Sequence, residues 1–208
     1  MSEDITIGGL QFADFINASA RQSRNVVTTQ KKLYLGEAPA WSYYGPLYAA
    51  LRGALNAPDP REHLEQAINR ATAQNAAKGE AFREASAGFL NLLPRGATGV
   101  RVTPASWASP HLTAALRNPL GIRLKNGKTL YVVVNPKQDP LSQDATDSVL
   151  RMMESGVDGA LPGAIPQVWD LRYDGGTASK LRGNTNRDAL DGYLLAQAAA
   201  YRTFWDAA

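Results

Sequence analysis

The clearest pattern of apolar and polar residues lies in the middle of the chain and predicts a β-hairpin. Residues 121–125 alternate between apolar and basic side chains, which is typical of a half-buried strand. Asn126 and Gly127 follow, and both residue types tolerate the positive φ that a type I′ turn requires at its two central positions. Residues 128–134 form a β-branched and aromatic run that lacks polar alternation from Leu130 onward. We therefore predict that the second strand is central and covered on both faces.

A helix that connects two strands is predicted after the hairpin. Ser142 is the expected N-cap and Gly156 the expected stop. On the polar face, Asp147 and Arg151 are spaced for an ion pair one helical turn apart. Residues 168–173 predict a strand, and a helical crossover places that strand parallel to a neighbour. One helical face carries the residues expected to be buried, which are Ala145, Val149, Met152 and Met153.

The remaining segments are mostly helical by the same criteria. Residues 10–35 predict one long amphipathic helix, because apolar and small residues recur at spacings of three and four. Short strands at 99–103 and 112–117 are expected on either side of a loop at 106–110. The other predicted helices cover residues 41–55, 60–75, 78–92 and 186–205.

Together these elements predict an α+β fold, in which N-terminal helices pack on a small mixed β-sheet with a crossover helix and a C-terminal helix. We divide the chain into a helical N-terminal region at residues 1–95 and an α/β sheet core at 96–208. The linker at 96–99 is very short, so we expect both parts to form one compact domain.

The composition and the absence of known motifs exclude several classes of function. The chain has no cysteine, which excludes disulfides, a thiolate nucleophile and Cys-ligated zinc. No apolar run approaches the ~20 residues of a membrane span, and the N-terminus lacks the basic-then-apolar layout of a signal peptide. We therefore expect a cytoplasmic protein without membrane association. The phosphate-binding, nucleophile-elbow and zinc-protease motifs are absent, so no cofactor is predicted.

Charge is distributed unevenly along the chain. Residues 85–138 contain seven basic residues and no acidic residue, within a chain whose net charge is only +3. Such a stretch predicts a positive potential that attracts anions. Exposed strands also carry Lys and Arg simply to prevent edge-to-edge aggregation, so this alternative stays open. The candidate anion-binding residues are Arg101, Arg117, Arg123, Lys125, Lys128 and Lys137.

An aromatic cluster opens the second predicted helix. Trp41, Tyr43 and Tyr44 place three aromatic side chains within four residues. They are suited to stacking on bases or sugars. Such clusters more often anchor helices to one another in a core, which is the alternative interpretation.

The order helix, strand hairpin, strand, helix, strand, helix resembles the core of the PD-(D/E)xK, or restriction-endonuclease-like, superfamily over roughly residues 80–206. Residues 133–137 lie at the end of a strand. At this position, members of that superfamily have an acidic residue, then any residue, then lysine. Lys137 matches the lysine, whereas Asn135 occupies the acidic position. The resemblance therefore implies a degenerate core. The helices-then-hairpin plan also resembles that of bacterial proteins of unknown role, which implies no activity.

Nucleases of that superfamily hold a divalent metal with two carboxylates, and Mg²⁺ needs such oxygen ligands. Since residues 85–138 supply no carboxylate, we expect the bend at 135–137 to attract anions and to hold no metal. Two or more carboxylates gathered beside this bend would contradict that expectation. A displaced nuclease site would use Lys137, Asp139, Asp144 and Asp147, with Asp170 as a further possible ligand.

Three functions follow from the sequence in order of preference. The first is a non-enzymatic interaction or scaffold module with an unknown protein partner. The second is a protein that binds nucleic acid or another polyanion on a degenerate nuclease-like fold. The third is a metal-dependent nuclease with the displaced site. Salt-sensitive binding to polyanions separates the second function from the first, and metal-dependent cleavage identifies the third.

Overall fold

A computed structural model describes residues 4–36 and 43–208. Within these ranges the chain forms seven helices and two mixed sheets, which confirms the predicted α+β fold. The helices are α1 (Gly9–Asn17), α2 (Ala20–Tyr34), α3 (Gly45–Ala54), α4 (Pro60–Gln74), α5 (Ala76–Leu92), α6 (Gln143–Ala160) and α7 (Arg187–Ala207). The strands are β1 (Thr6–Gly8), β2 (Thr98–Val100), β3 (Ala105–Ala108), β4 (Thr113–Leu116), β5 (Leu120–Arg123), β6 (Thr129–Asn135), β7 (Ile165–Asp170) and β8 (Thr177–Ser179).

The larger sheet has five strands in the order β2-β5-β6-β7-β8. Strand β5 is antiparallel to both β2 and β6, whereas β7 is parallel to β6. The crossover through α6 therefore connects parallel strands, as predicted. A smaller sheet of three strands has the order β1-β4-β3. The helical N-terminal region thus also contributes a strand, β1, which pairs in parallel with β4.

Strand β6 separates two hydrophobic cores. Tyr131 and Val133 lie in the core formed with α1, α2, α6, α7 and the smaller sheet. Val132 and Val134 point the other way, into the core formed with α3, α4 and α5. Every residue from Leu130 to Asn135 is buried, which confirms the prediction of a central strand covered on both faces.

The crossover helix α6 begins as predicted but ends later. The backbone N–H of Ala145 donates to Ser142 Oγ at 3.2 Å, which confirms the N-cap. The predicted stop at Gly156 is wrong, since the helix continues to Ala160. This glycine instead allows close packing, because a Cβ at Gly156 would lie 2.9 Å from the Cβ of Ala105 in β3. The apolar face is buried as predicted, at Ala145, Val149, Met152 and Met153.

The predicted ion pair between Asp147 and Arg151 does not form. Asp147 accepts a hydrogen bond from Gln143 Nε2 at 2.9 Å. Arg151 instead binds both carboxylate oxygens of Asp191 in α7, each at 2.8 Å. A bidentate arginine–carboxylate contact between helices is stronger than a pair along one helix surface, so tertiary packing decides the partner.

The prediction of one helix over residues 10–35 is wrong, because the chain breaks into α1 and α2. Ser19 has the extended backbone of an N-cap, with φ −61° and ψ 155°, and its N–H donates to Gln22 Oε1 at 3.3 Å. Apolar and small residues continue at spacings of three and four across the break, so the spacing alone does not indicate it. As a result, α1 and α2 form a corner that stands beside the end of β6.

Two local predictions near the hairpin also need correction. Among the turn residues only Gly127 has positive φ, and its N–H donates to the carbonyl of Leu124 at 3.0 Å. The turn is therefore of the type I class followed by a left-handed glycine, and not type I′. The segment predicted as a loop at 106–110 begins with strand β3, which pairs with β4.

Trp41 lies outside the described residues, and the helix predicted from it begins at Gly45.

Candidate functional site

The parallel strands β6 and β7 end side by side at a buried polar pair. Asn135 and Asp170 are register partners and are 1% and 5% exposed. Asn135 Nδ2 donates to Asp170 Oδ1 at 2.7 Å, and the backbone N–H of Leu141 donates to the same oxygen at 3.3 Å. Burial raises the pKa of Asp170 above its ordinary value, and these two hydrogen bonds oppose the rise. The pair anchors the loop that follows β6.

Lys137 extends from this loop towards α1. Its backbone N–H donates to Asn135 Oδ1 at 3.3 Å, and its Nζ forms an ion pair with Asp14 of α1. The side chains of Lys137 and Asp14 are 41% and 30% exposed, so the pair is accessible to solvent. Lys137 therefore lies across the gap between the end of β6 and the α1–α2 corner.

A cleft of about 520 Å³ opens on one side of Lys137, and we call it the tyrosine cleft. Four tyrosines line it, from α2, α3 and the residues just before α3. Arg117 and Lys137 also line it, and no carboxylate does so among the described residues. The cleft thus combines aromatic surface with two cations. Its tyrosines are Tyr34, Tyr43, Tyr44 and Tyr48.

Tyr34 fixes one wall of the tyrosine cleft. Its hydroxyl accepts a hydrogen bond from the backbone N–H of Gly8 at 2.7 Å and donates to Gln11 Oε1. The guanidinium carbon of Arg117 lies 5.7 Å from the centre of the Tyr34 ring, within the range of a cation–π contact. Within residues 4–36 and 43–208, Arg117 has no carboxylate partner. Its charge is therefore positioned by an aromatic ring, and no acid of the described residues neutralises it.

Tyr44 and Tyr48, which also line the tyrosine cleft, are neutral tyrosines. Burial raises the pKa of Tyr48, and the neighbouring Tyr44 and Asp14 raise it further. Burial also raises the pKa of Tyr44, although Arg172 opposes the rise through its charge and a hydrogen bond. Both tyrosines thus remain protonated and uncharged at neutral pH.

Tyr43 forms the outer edge of the tyrosine cleft and is 44% exposed. Its ring meets that of Tyr44 edge-to-face, with centroids 4.7 Å apart and an interplanar angle of 78°. Lys78 Nζ lies 5.5 Å from the Tyr43 ring centre. The alternative interpretation as a helix anchor describes Tyr44, whereas stacking on bases or sugars stays a prediction for Tyr43. Tyr44 stacks on the buried Phe82, whereas Tyr43 is open to solvent.

A second, more open groove of about 740 Å³ continues on the other side of Lys137. It shares Gln11, Leu33 and Lys137 with the tyrosine cleft, so the two are adjacent. We call it the amide groove, because amide side chains of α1 and α2 dominate its polar lining. These amides are Gln11, Asn17, Gln22, Asn25 and Gln30.

The six candidate anion-binding residues do not gather in one place. Arg117 and Lys137 line the tyrosine cleft. Arg123, Lys125 and Lys128 are exposed around the β5–β6 turn, at the far end of a strand about 20 Å long. Arg101 follows the edge strand β2 and lines a separate cavity of about 320 Å³.

The residues of the predicted displaced nuclease site are also dispersed. Asp139 lines the amide groove together with Lys137, Asp144 is exposed, and Asp147 accepts a hydrogen bond from Gln143. Among the described residues, Lys137 forms its ion pair with Asp14 and with none of these three. In the described part of the chain, no group of three or more acidic or histidine side chains could hold a metal ion.

Two other carboxylates do reach the bend at residues 135–137. Asp14 contacts Lys137 and Asp170 contacts Asn135. The expectation of a bend without carboxylates, from which we predicted that it attracts anions and holds no metal, is therefore wrong. It was based on residues 85–138 alone, whereas Asp14 arrives from α1 and Asp170 from the end of β7. Asp170 was identifiable as a possible ligand from the sequence, but Asp14 occupied an ordinary polar position of a predicted helix.

The described residues thus define an α+β protein with a tyrosine-lined, cation-bearing cleft near the carboxyl ends of strands β1, β4 and β6. No helix among them is both long enough and apolar enough to span a bilayer. No protein-family model matches the sequence, and no curated protein matches it significantly.

Proposed function

We propose that this protein is a non-catalytic binding module whose tyrosine cleft takes single-stranded nucleic acid. One observation carries the proposal: four tyrosines, Arg117 and Lys137 line a single cleft that has no carboxylate in its described lining. Of the functions that the sequence left open, polyanion binding is the one that this combination supports best.

Single strands suit such a cleft because their bases are free to stack. Stacking of a base on an aromatic side chain contributes about 1–3 kcal/mol and tolerates any sequence. The exposed ring of Tyr43 is available for this contact, and Arg117 and Lys137 are placed to meet phosphates. A duplex keeps its bases stacked internally, so it gains only the phosphate contacts.

The resemblance to the PD-(D/E)xK core supports nucleic acid as the ligand class. After α5 the larger sheet takes the antiparallel strands β2, β5 and β6, and α6 then leads to the parallel strand β7 and on to α7. Strands β3 and β4 intervene between β2 and β5, and β8 between β7 and α7, so the order supports the resemblance only apart from these three strands. Asn135 replaces the acidic residue and is fully engaged with Asp170, Asp139 and Lys137, which favours a core that binds without cutting. Such a ligand also agrees with the expected cytoplasmic location.

Fluorescence anisotropy with labelled oligonucleotides tests the proposal. We expect the protein to bind an oligo-dT strand more tightly than a duplex of equal length, and to lose affinity steeply between about 50 mM and about 200 mM salt. Arg117→Ala should weaken binding by about tenfold, since a hydrogen bond to a charged group contributes about 1.5–3 kcal/mol. Arg101→Ala is the control, because Arg101 lies outside the cleft.

Absence of salt-sensitive binding to any oligonucleotide would contradict the proposal. The interaction or scaffold module with a protein partner would then be the better interpretation. Equal weakening by Arg117→Ala and Arg101→Ala would show that net charge, and not the tyrosine cleft, attracts the polyanion.

A second candidate, the metal-dependent nuclease, is favoured by a specific observation. Asp14 and Asp170 contact the two ends of the bend that carries Lys137. Incubation of single- and double-stranded DNA with Mg²⁺ or Mn²⁺ tests this function. Cleavage that Lys137→Ala abolishes would establish it. If both metals leave DNA intact under conditions where the protein binds it, the non-catalytic function stands.

A further inference from the structure

A third cavity of about 390 Å³ lies between helices α3, α4 and α5, and we call it the helical cavity. Three basic or titratable side chains line it, His63, Arg70 and Lys78, and no carboxylate lines it among the described residues. Its floor is apolar and includes Phe82. It therefore has the same combination of cations and aromatic surface as the tyrosine cleft.

The helical cavity adjoins the tyrosine cleft through a shared aromatic wall. Phe82 lines the helical cavity and stacks on Tyr44 of the cleft, with centroids 6.5 Å apart and planes inclined by 21°. Lys78 Nζ lies 5.5 Å from the ring centre of Tyr43 and 5.7 Å from that of Phe82. Lys78 lines the helical cavity and thus stands beside Tyr43, at the edge of the tyrosine cleft.

The cations of the helical cavity are available to an anion. Arg70 Nε donates to the carbonyl of Gln66 at 3.2 Å, and Lys78 Nζ donates to Gln74 Oε1 at 3.0 Å. Both partners are neutral, so neither charge is compensated by an acid within the described residues. His63 lies against Gly53 of α3, where a Cβ would be only 2.5 Å from Nε2, so the ring is held at the cavity.

We propose that a single strand bound in the tyrosine cleft continues over Tyr43 into the helical cavity, where Arg70, Lys78 and His63 contact the phosphates of the next nucleotides. This inference rests on the proposed function and extends it to a site of at least two adjoining compartments. Lys78 bridges the compartments: it holds the ring of Tyr43 from one side and offers its charge to the backbone on the other.

The proposal predicts an affinity that rises in a step with strand length. Oligo-dT and oligo-U strands of about 2 to about 16 nucleotides cover the site sizes of about 4 to about 16 nucleotides found in single-strand-binding folds. Short strands occupy the tyrosine cleft alone, whereas longer ones reach the helical cavity and should bind about tenfold more tightly. Comparison of the DNA and RNA series shows which sugar the site prefers.

Arg70→Ala tests the contribution of the helical cavity separately from that of the tyrosine cleft. Arg61→Ala is the matched control on the same helix. Arg70 lines the helical cavity, whereas Arg61 is exposed outside its lining. We expect Arg70→Ala to remove most of the gain of long strands and to leave short strands unaffected. Arg61→Ala should change neither series.

The possible failures are distinguishable. If strands bind but affinity does not step with length, or if Arg70→Ala and Arg61→Ala behave alike, the extended path is overturned and the proposed function stands. If strands of every length fail to bind, the proposed function is overturned together with this inference.

Discussion

The β5–β6 hairpin carries basic residues at both ends, and the surroundings of the two ends differ. At the open end, Arg117 and Lys137 line a cleft with four tyrosines. At the turn, Arg123, Lys125 and Lys128 are exposed. Lys125 lies along the backbone at Gly96, where a Cβ would meet its Cε at 2.2 Å. The charges at the turn are dispersed in solvent, whereas those at the open end are combined with aromatic surface.

This difference shows why a count of charges does not locate a binding site. Exposed cations near strand ends improve solubility and discourage edge pairing without any ligand. A site also needs a concave surface and groups that order the ligand. Only the open end of the hairpin has both, because α1, α2 and α3 meet there.

The largest expected effect comes from removing equal charge from the two ends. Arg117→Ala with Lys137→Ala should weaken binding of single-stranded DNA by about 100-fold, since each lost contact to a charged group costs about 1.5 kcal/mol or more. Arg123→Ala with Lys125→Ala removes the same charge and should weaken binding by no more than about threefold. Anisotropy titrations at one salt concentration measure both. Equal losses would refute the distinction between the two ends.

Much of the fold was predictable because its signals are local. The buried run of β6, the N-cap Ser142 and the apolar face of α6 are each encoded within a few residues, and all three are confirmed. Strand β3 was missed although it pairs with the neighbouring strand β4, because its four residues, ASWA, carry no clear alternation of apolar and polar side chains. The break at Ser19 was missed because side-chain spacing continues through it.

The candidate site was only half predictable for the same reason. Lys137 and the Tyr43–Tyr44 pair were identified from local patterns, namely a strand end and an aromatic cluster. Tyr34, Tyr48 and Asp14 lie on three different helices, and nothing in their local sequence specifies that the helices meet at Lys137. Long-range packing assembles the tyrosine cleft, so periodicity alone could not reveal it.

A smaller effect distinguishes the aromatic surface of the cleft from an exposed tyrosine elsewhere. Tyr43 and Tyr173 are 44% and 50% exposed, but only Tyr43 lines the tyrosine cleft. Loss of one stacked base contact should weaken strand binding by about tenfold in Tyr43→Ala. Tyr173→Ala should bind as the wild type does, in the same anisotropy assay. Equal behaviour of the two variants would remove stacking from the proposed mechanism.

A gain of affinity is expected when Lys137 loses its internal partner. The carboxylate of Asp14 competes with a phosphate for Lys137 Nζ. Asp14→Asn should therefore strengthen binding by about threefold, the scale of a solvent-accessible ion pair. Asp139→Asn removes the same charge from the lining of the amide groove without touching Lys137, and it should change affinity less. An equal gain in both variants would indicate a general effect of net charge.

The smallest effect concerns the buried carboxylate that anchors the open end. Burial raises the pKa of Asp170 above the ordinary 3.8, so the folded protein retains this proton to higher pH than the unfolded chain. The contribution of Asp170 to the free energy of unfolding therefore decreases as pH rises through the interval between the two pKa values. In Asp170→Asn the side-chain oxygen can still accept from Asn135 and Leu141, and this pH dependence should disappear.

Urea unfolding at several pH values between about 2 and about 8 measures the difference and includes the acidic range in which the Asp191 control titrates. The stability of Asp170→Asn relative to the wild type should increase with pH and then level off. Asp191 provides a control of opposite sign, because hydrogen bonds from Arg151 hold its pKa below the ordinary 3.8. Its contribution is present at neutral pH and is lost as pH falls, so Asp191→Asn should lose stability relative to the wild type as pH rises. Parallel pH profiles for wild type and Asp170→Asn would mean that the buried carboxylate is charged at little cost, and the Asn135–Asp170 pair would then be only a hydrogen-bonded anchor.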